Sequence, residues 1–361
     1  MPTQTDDFTV SVAEAAEITL KHMFTREDEE SPYGMLPVCL LGPYGVGKSA
    51  CARYLVDLSK ERYGYEFDGV IDIRPSTMTE VDVRGVPDVI ITDINGEEHH
   101  TTIFAIPEFL PREGNFIVLI DEFPDAAPTM QSVLYQLILD RRIGEYVLPD
   151  GCYVMAAGNT PDYSLCSNEL SGPAKDRFTI LNVQADKESY LEWARTHNVH
   201  PSVMAYVNFN EDVLCSQDID DFAGGPSPRS ISTLGKLVDR LSGRTLEATC
   251  QGKLGKRYGM EFYGFLDFWR QIPNMDQILN DPDNADVPNR LEIQWCTMAA
   301  IGRQMTKESV PNVMRYLQRF ESSNQATFII FCFRDAWARD NKIISQTAFT
   351  DWLVKNQDIV F

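Results

Sequence analysis

A glycine-rich loop between a strand and a helix is the feature that most constrains this chain of 361 residues. The apolar run Met35–Leu41 predicts a strand, and the segment LLGPYGVGKSACARYLV continues from it into a helix. Within this segment, Gly42–Ser49 fits the pattern GxxxxGK[ST], in which backbone N–H groups and the positive end of a helix dipole surround a phosphate. The pattern predicts a nucleotide-binding α/β fold with a parallel sheet sandwiched by helices.

Each residue of this loop has an expected task. Lys48 is expected to reach the β- and γ-phosphates, and the Ser49 hydroxyl is expected to ligate Mg²⁺. A phosphate loop does not by itself name a reaction, since GTPases, nucleotide kinases and ATP-driven machines share it. The motif NKxD, by which GTPases usually select guanine, does not occur in the chain. The expected nucleotide is ATP. The residues expected to contact it are Gly42, Pro43, Gly45, Val46, Gly47, Lys48, Ser49 and Ala50.

Two adjacent acids follow the apolar strand pattern at 116–120, in FIVLIDEFPDA. Asp121 is expected to organise Mg²⁺, and Glu122 to polarise a water for in-line attack on the γ-phosphate. A kinase must keep water away from its phosphates, so an activating glutamate at this place favours hydrolysis. The alternative interpretation is a strand that simply ends in solvated acids.

Three further polar residues complete the predicted site. Asn159 follows the apolar strand in YVMAAGNTP, and parallel sheets bind ligands at the carboxyl ends of their strands, where an amide can hold the attacking water. Arg177, in GPAKDRF, is expected to reach the γ-phosphate of a neighbouring subunit. Arg229, in GGPSPRSISTL, is expected to fold back onto the nucleotide from a helical lid. The alternatives are turn chemistry for the asparagine and ordinary surface positions for the arginines.

Periodicity predicts the remaining elements. Strands are expected at 69–73, 116–120, 153–157 and 178–183, and helices at 8–24 and 129–140. An extended pair is expected to turn at Asn95-Gly96, and a second hairpin around Pro149–Gly151. The basic stretch Lys253–Arg257 is expected to be a solvated loop. The chain is mostly helical after Gln184.

These patterns predict four regions. They are an N-terminal helix and loop (1–34), a nucleotide-binding αβα core (35–184), a helical lid (185–242) and a C-terminal helical region (243–361).

Composition excludes some classes of function. A formal net charge of −21 argues against a protein whose main task is to grip nucleic acid. The longest apolar runs are too short to cross a bilayer, and the N-terminus does not look like a signal peptide, so no membrane insertion is expected. The eight cysteines have no CxxC spacing, which favours a reduced, cytoplasmic location.

The order of these motifs resembles the AAA+ ATPases, and within them the MoxR-like, dynein-related branch. The likeness is closest over Val81–Asp162, with DVRGVP, FLPREGNFIVLIDEFPDAAPTMQSVLYQLILDRRIGEYVLP and MAAGN. The resemblance implies that Asn159 is sensor 1, Arg177 the arginine finger and Arg229 sensor 2. It also implies that the insert after Val81 and the hairpin at Gly144–Met155 face the central pore of a hexamer.

The resemblance further implies a function. The expectation is Mg²⁺-dependent ATP hydrolysis by a homo-oligomeric, hexameric ring that remodels or activates a protein partner. A separate partner carrying a von Willebrand factor A domain fits this role. Two alternatives stay open: an assembly scaffold controlled by ATP with little turnover, and a DNA-associated motor. The presence of Glu122, Asn159 and Arg177 together disfavours the scaffold, and the acidic charge disfavours the DNA motor.

Overall fold

The computed structural model describes residues 8–24, 36–94, 97–160, 170, 172–215, 225–340, 343 and 347–355. The chain divides into two compact units, Met1–Gln184 and Ala185–Phe361. The first unit is α/β and the second is helical, which confirms the predicted fold class.

The first unit alternates strands with helices. Its elements are β1 (Thr9–Val10), α1 (Val12–Phe24), β2 (Val38–Leu41), α2 (Lys48–Tyr63), β3 (Gly69–Ile73), α3 (Glu80–Arg84), β4 (Val86–Ile94), β5 (Glu97–Ala105), β6 (Phe116–Ile120), α4 (Pro128–Leu139), β7 (Arg142–Ile143), β8 (Tyr146–Val147), β9 (Tyr153–Gly158), α5 (Gly172–Arg177) and β10 (Thr179–Val183).

Six of the strands form one parallel sheet in the order β1-β10-β2-β9-β6-β3. The central strands are almost wholly apolar, as expected of strands that helices cover on both faces. Helix α4 packs against one face, and α1 and α2 pack against each other and the sheet. The carboxyl ends of β2, β6 and β9 therefore meet at one edge, which positions the candidate site.

The sequence located the main strands well. The observed bounds of β3 and β6 equal the predicted ones, and β9 runs one residue further, to Gly158. Helix α4 begins and ends one residue before its predicted bounds. The prediction for β2 began at Met35, which lies outside the described residues.

The predicted start of the N-terminal helix, at residue 8, is wrong. Thr9–Val10 forms an edge strand that pairs with Asn182 and Val183 of β10, and the helix begins only at Val12. A two-residue strand has no periodicity of its own. It forms because the open edge of β10 offers it hydrogen bonds.

The hairpin predicted around Pro149–Gly151 is also wrong. The short strands β7 and β8 pair across Gly144-Glu145, where Gly144 has a left-handed φ of 57°. Pro149–Gly151 is a turn, with the Cys152 N–H donating to the Pro149 carbonyl at 3.0 Å. The turn delivers the chain into β9, which pairs with β2 and β6 of the main sheet rather than with β8.

The other extended pair has the predicted form. β4 and β5 are antiparallel, in register from Val86 opposite Ala105 to Ile94 opposite Glu97. The predicted turn at Asn95-Gly96 lies outside the described residues.

The second unit is built from helices around one buried cluster. Its helices are α6 (Lys187–Thr196), α7 (Pro201–Phe209), α8 (Pro228–Gly235), α9 (Gly243–Trp269), α10 (Met275–Asn280), α11 (Leu291–Gln304), α12 (Val310–Leu317), α13 (Ser322–Arg339) and α14 (Thr347–Lys355). The stretch Lys253–Arg257, predicted as a solvated loop, contains the junction of two helices that meet at a kink within α9, and it is held against the cluster by the buried residues Leu254 and Tyr258. Gly255, with a φ of 75°, interrupts this helix.

In the part of the chain that the structure describes, no helix is long and apolar enough to cross a membrane. The same residues contain no group of three or more His, Cys, Asp or Glu side chains arranged to hold a metal ion.

Candidate nucleotide site

The loop after β2 has a backbone that only glycines adopt readily. Gly45 and Gly47 have φ values of 72° and 121°, in the left-handed region. A Cβ atom at Gly42 would lie 2.1 Å from the carbonyl oxygen of Val183 in β10, so any larger residue would push the loop away from the sheet. The loop ends at Lys48, the first residue of α2. Its N–H groups and the N-terminus of α2 together form a cradle suited to a phosphate.

Lys48 is held inside this loop. Its side chain is buried, and Nζ donates hydrogen bonds to the carbonyl oxygens of Gly42 and Pro43 at 2.9 and 2.7 Å. A third bond, of 3.1 Å, goes to Oδ1 of Asn159. The ammonium group is thus fixed where the loop, the helix and the end of β9 come together.

Asp121 and Ser49 lie in direct contact. The Ser49 hydroxyl donates to Oδ2 of Asp121 at 2.7 Å, although 72 residues separate them in sequence. Asp121 is buried, and its backbone N–H donates to the Ile73 carbonyl at 2.8 Å, which fixes the end of β6 to the end of β3. A hydroxyl beside a carboxylate is the oxygen donor set that Mg²⁺ prefers, and the remaining ligands would come from phosphate and water. The residues present therefore fit a magnesium-nucleotide site.

Glu122 is turned away from this pair. Its φ of 56° is rare for a residue with a side chain, and its N–H donates to Oδ1 of Asp121 at 3.0 Å. Oε2 of Glu122 accepts a hydrogen bond of 2.5 Å from the hydroxyl of Ser76, which follows β3. The carboxylate proposed to activate water is thus hydrogen-bonded to a residue that follows the neighbouring strand β3.

Arg177 is the last residue of α5, immediately before β10. Its guanidinium lies over the ring of Tyr135 in α4, with 5.7 Å between the guanidinium carbon and the ring centroid. A cation over an aromatic ring is attracted to the ring's negative face. The contact gives Arg177 a defined position at the surface of the first unit.

A sequence comparison matches residues 37–178 to the AAA domain (dynein-related subfamily). The chain contains an AAA domain of that subfamily. Domains of this type are P-loop ATPase domains, and proteins that carry them usually form oligomers, often rings. A search of curated proteins found no match.

Solved structures similar to this chain include those of RuvB and PCH-2. The Holliday junction branch migration motor RuvB of Thermotoga maritima is 16% identical, with a TM-score of 0.38, over 86% of this chain and 90% of RuvB. PCH-2 of C. elegans is 15% identical, with a TM-score of 0.29, over 70% of this chain and 64% of PCH-2.

The AAA domain brings most of the predicted site residues together. The phosphate loop, Asp121 and Asn159 are linked by the hydrogen bonds of Lys48 and Ser49. Glu122 is adjacent, but it is bound to Ser76. Arg229 lies in the second unit, as the second residue of α8, and its role toward the nucleotide stays a prediction.

Sequence reasoning missed two residues near the acids of the AAA domain. One is Ser76. The other is Arg74, whose Nε and Nη2 atoms donate to Asp72 at 3.3 and 2.9 Å. The carboxylate of Asp72 raises the pKa of Arg74, with smaller contributions from Asp121 and Glu122, so Arg74 adds positive charge near the acids. The sequence did contain a signal for them. Arg74 and Ser76 follow the strand predicted at 69–73, and the carboxyl end of that strand lies at the same edge of the sheet as the site.

Proposed function

We propose that this protein is a Mg²⁺-dependent ATPase that works as a ring and remodels or activates a protein partner. The observation that carries the proposal is the hydrogen bond between Ser49 and Asp121, formed beside the buried Lys48. It joins the phosphate loop to the acidic strand end, and both are needed for phosphoryl transfer.

The residues of the site would divide the work as follows. Lys48 and the loop N–H groups would bind the phosphates of ATP, and Ser49 and Asp121 would hold Mg²⁺. The metal, when bound, neutralises charge that develops on the phosphates. Glu122 would accept the proton of the attacking water, and Asn159 would hold that water in line. To do so, the Glu122 carboxylate must leave the Ser76 hydroxyl.

Assembly would complete the site. Arg177 would act on the nucleotide of the adjacent subunit in a homo-oligomeric ring, which we propose to be hexameric. Arg229 would couple the nucleotide to movement of a lid formed by residues 185–242. We further propose a MoxR-like role in the cytoplasm, with a protein substrate or a separate partner that carries a von Willebrand factor A domain. The acidic chain, with a net charge of −21, makes DNA an unfavourable partner.

The test compares Glu122→Gln with the wild-type protein. Glutamine keeps the size of the side chain but cannot accept a proton, so turnover should fall about 10²–10⁴-fold while ATP binding is retained. Steady-state hydrolysis is measured with and without duplex DNA, and ATP binding is measured separately with a fluorescent analogue. Near-normal turnover in the variant would remove Glu122 from the mechanism. Negligible wild-type turnover with ATP-dependent assembly would instead indicate a scaffold, and strong stimulation by DNA would indicate a DNA motor.

A further inference from the structure

A groove in the second unit lies outside the nucleotide site. It has a volume of about 440 Å³, within the range of roughly 300–1,000 Å³ that is usual for ligand pockets. It runs between the end of α7 and the second half of α9. Its lining is mostly apolar, and the apolar residues used below are Phe209, Met260, Gly264, Phe265 and Phe268.

The apolar walls of the groove are accessible and fixed in place. Phe209 and Met260 are 46% and 52% exposed, so a partner that covered them would bury apolar surface. The rings of Phe209 and Phe265 lie 5.7 Å apart, and those of Phe265 and Phe268 lie 6.2 Å apart. Because Phe265 is itself buried, these ring contacts hold the walls before any partner binds.

Gly264 gives the groove its depth. It lies within α9, where a glycine costs about 1 kcal/mol of helix stability relative to alanine. A Cβ atom at this position would have no heavy atom within 4 Å, so no packing within the unit requires the glycine. Gly264 forms the floor of the groove, and the space above it is open.

Glu261 places a negative charge in the groove lining. Its Oε2 atom accepts hydrogen bonds from the Tyr206 hydroxyl at 3.2 Å and from Nδ2 of Asn210 at 3.0 Å. These two neutral donors orient the carboxylate without cancelling its charge. The exposed Arg257 is further away, with 3.9 Å between its Nε and Oε1 of Glu261, and its guanidinium also lies over the Tyr258 ring.

We infer that this groove binds a partner polypeptide in which an apolar side chain stands next to a lysine or arginine. The apolar side chain enters the space above Gly264, between Phe209 and Met260, and the cation pairs with the oriented Glu261 carboxylate. Charge selects the partner, since the Glu261 carboxylate in the groove lining attracts a basic side chain and repels an acidic one. None of the groove residues is among those proposed to bind or hydrolyse ATP, so peptide binding is expected to require neither ATP binding nor hydrolysis.

The test selects peptides against the full chain from a random library of displayed 12-residue peptides. Enriched peptides are then synthesised and their affinities measured by fluorescence anisotropy. They should share an apolar residue beside lysine or arginine. Gly264→Leu fills the groove with a helix-favouring side chain and should weaken binding by about tenfold or more, the loss expected when one apolar side chain is excluded. Glu261→Gln should weaken it less, and this loss should disappear at high salt.

The matched control is Gly252→Leu, which changes an equally open, exposed glycine of α9 that is not among the residues lining the groove. It should bind the peptides like the wild type. Thermal unfolding checks that each variant is folded, and Met260→Gln replaces Gly264→Leu if the latter is not. Failure to enrich any peptide, enrichment of acidic peptides, or equal binding to wild type and the groove-filled variant would each overturn the inference. ATPase activity should be unchanged in all of these variants.

Discussion

The hydroxyl of Ser76 donates a hydrogen bond of 2.5 Å to the carboxylate of Glu122 across the ends of β3 and β6. The same carboxylate is the proposed general base. A carboxylate held in this hydrogen bond is not free to approach a water. In the conformation that the structure shows, this restraint keeps the carboxylate from the role proposed for it.

Removing this restraint should increase hydrolysis. We expect Ser76→Ala to raise the ATPase rate of the protein alone, by up to about tenfold, since hydrogen bonds to charged groups contribute roughly 1.5–3 kcal/mol and this one is exposed. Steady-state phosphate release measures the effect. Ser132→Ala, which removes an exposed hydroxyl bonded only locally to the Pro128 carbonyl, should have no effect. A lower rate in Ser76→Ala would show that the serine orients Glu122 for catalysis.

Lys48 should be required for nucleotide binding. In Lys48→Ala the phosphates lose a buried cation whose position three hydrogen bonds fix, so affinity should fall about tenfold to a hundredfold. Equilibrium titration with a fluorescent ATP analogue measures this. Lys60→Ala provides the control, because Lys60 is an exposed lysine of the same helix that pairs with Glu66. Unchanged affinity in Lys48→Ala would refute the phosphate-loop assignment.

Arg177 should act between subunits. Arg177→Ala should lose hydrolysis by about 10³–10⁵-fold, as arginine fingers do in related reactions, while each subunit still binds ATP. Wild-type specific activity should rise with protein concentration. Lys175→Ala, at an exposed position in the same helix, should retain activity.

Mixing two inactive variants tests whether Arg177 acts on a neighbouring subunit or on its own. Arg177→Ala subunits combined with Lys48→Ala subunits should recover part of the turnover, because an intact loop can then face an intact arginine. No recovery after demonstrated co-assembly, together with activity independent of concentration, would contradict the trans role. Loss of the AAA domain's own fold is excluded by measuring ATP binding of Arg177→Ala alone.

Asp335 should make the stability of the second unit depend on pH. This carboxylate is 1% exposed, and among the described residues neither of its oxygens has a hydrogen-bond partner. Burial raises its pKa, and the charges of Arg339, Arg195 and Arg303 offset only part of that shift. An acid whose pKa is raised by folding favours the folded state while protonated. That contribution is lost as pH rises through the folded-state pKa.

Asparagine resembles the neutral acid, so Asp335→Asn should raise the thermal unfolding midpoint near neutral pH by a few degrees. The difference from wild type should shrink as the pH falls toward the ordinary aspartate pKa of about 4. Thermal scans across this pH range measure it, with the exposed Asp351→Asn as control. A lower midpoint in Asp335→Asn at neutral pH would mean that attraction to the arginines outweighs the burial of the charge.

Local patterns in the sequence were sufficient for several parts of the fold and the site. The phosphate-loop pattern could be recognised because its glycines, Lys48 and Ser49 stand within eight consecutive residues. The bounds of β3 and β6 followed from apolar runs, since buried strands of a parallel sheet must be apolar throughout. The position of Asp121 and Glu122 at the end of a strand also followed from the sequence, because they come directly after such a run.

Only the tertiary structure decided which distant residues meet. Ser76 and Glu122 are 46 residues apart, and they touch because β3 pairs with β6, a neighbourhood that no local pattern encodes. The edge strand Thr9–Val10 exists because β10 has an open edge, and the groove over Gly264 exists because α7 packs beside α9. The spacing of apolar residues along the chain indicates where helices and strands form. Contacts between elements depend on the order of strands and the packing of helices, which are settled only when the whole core is buried together.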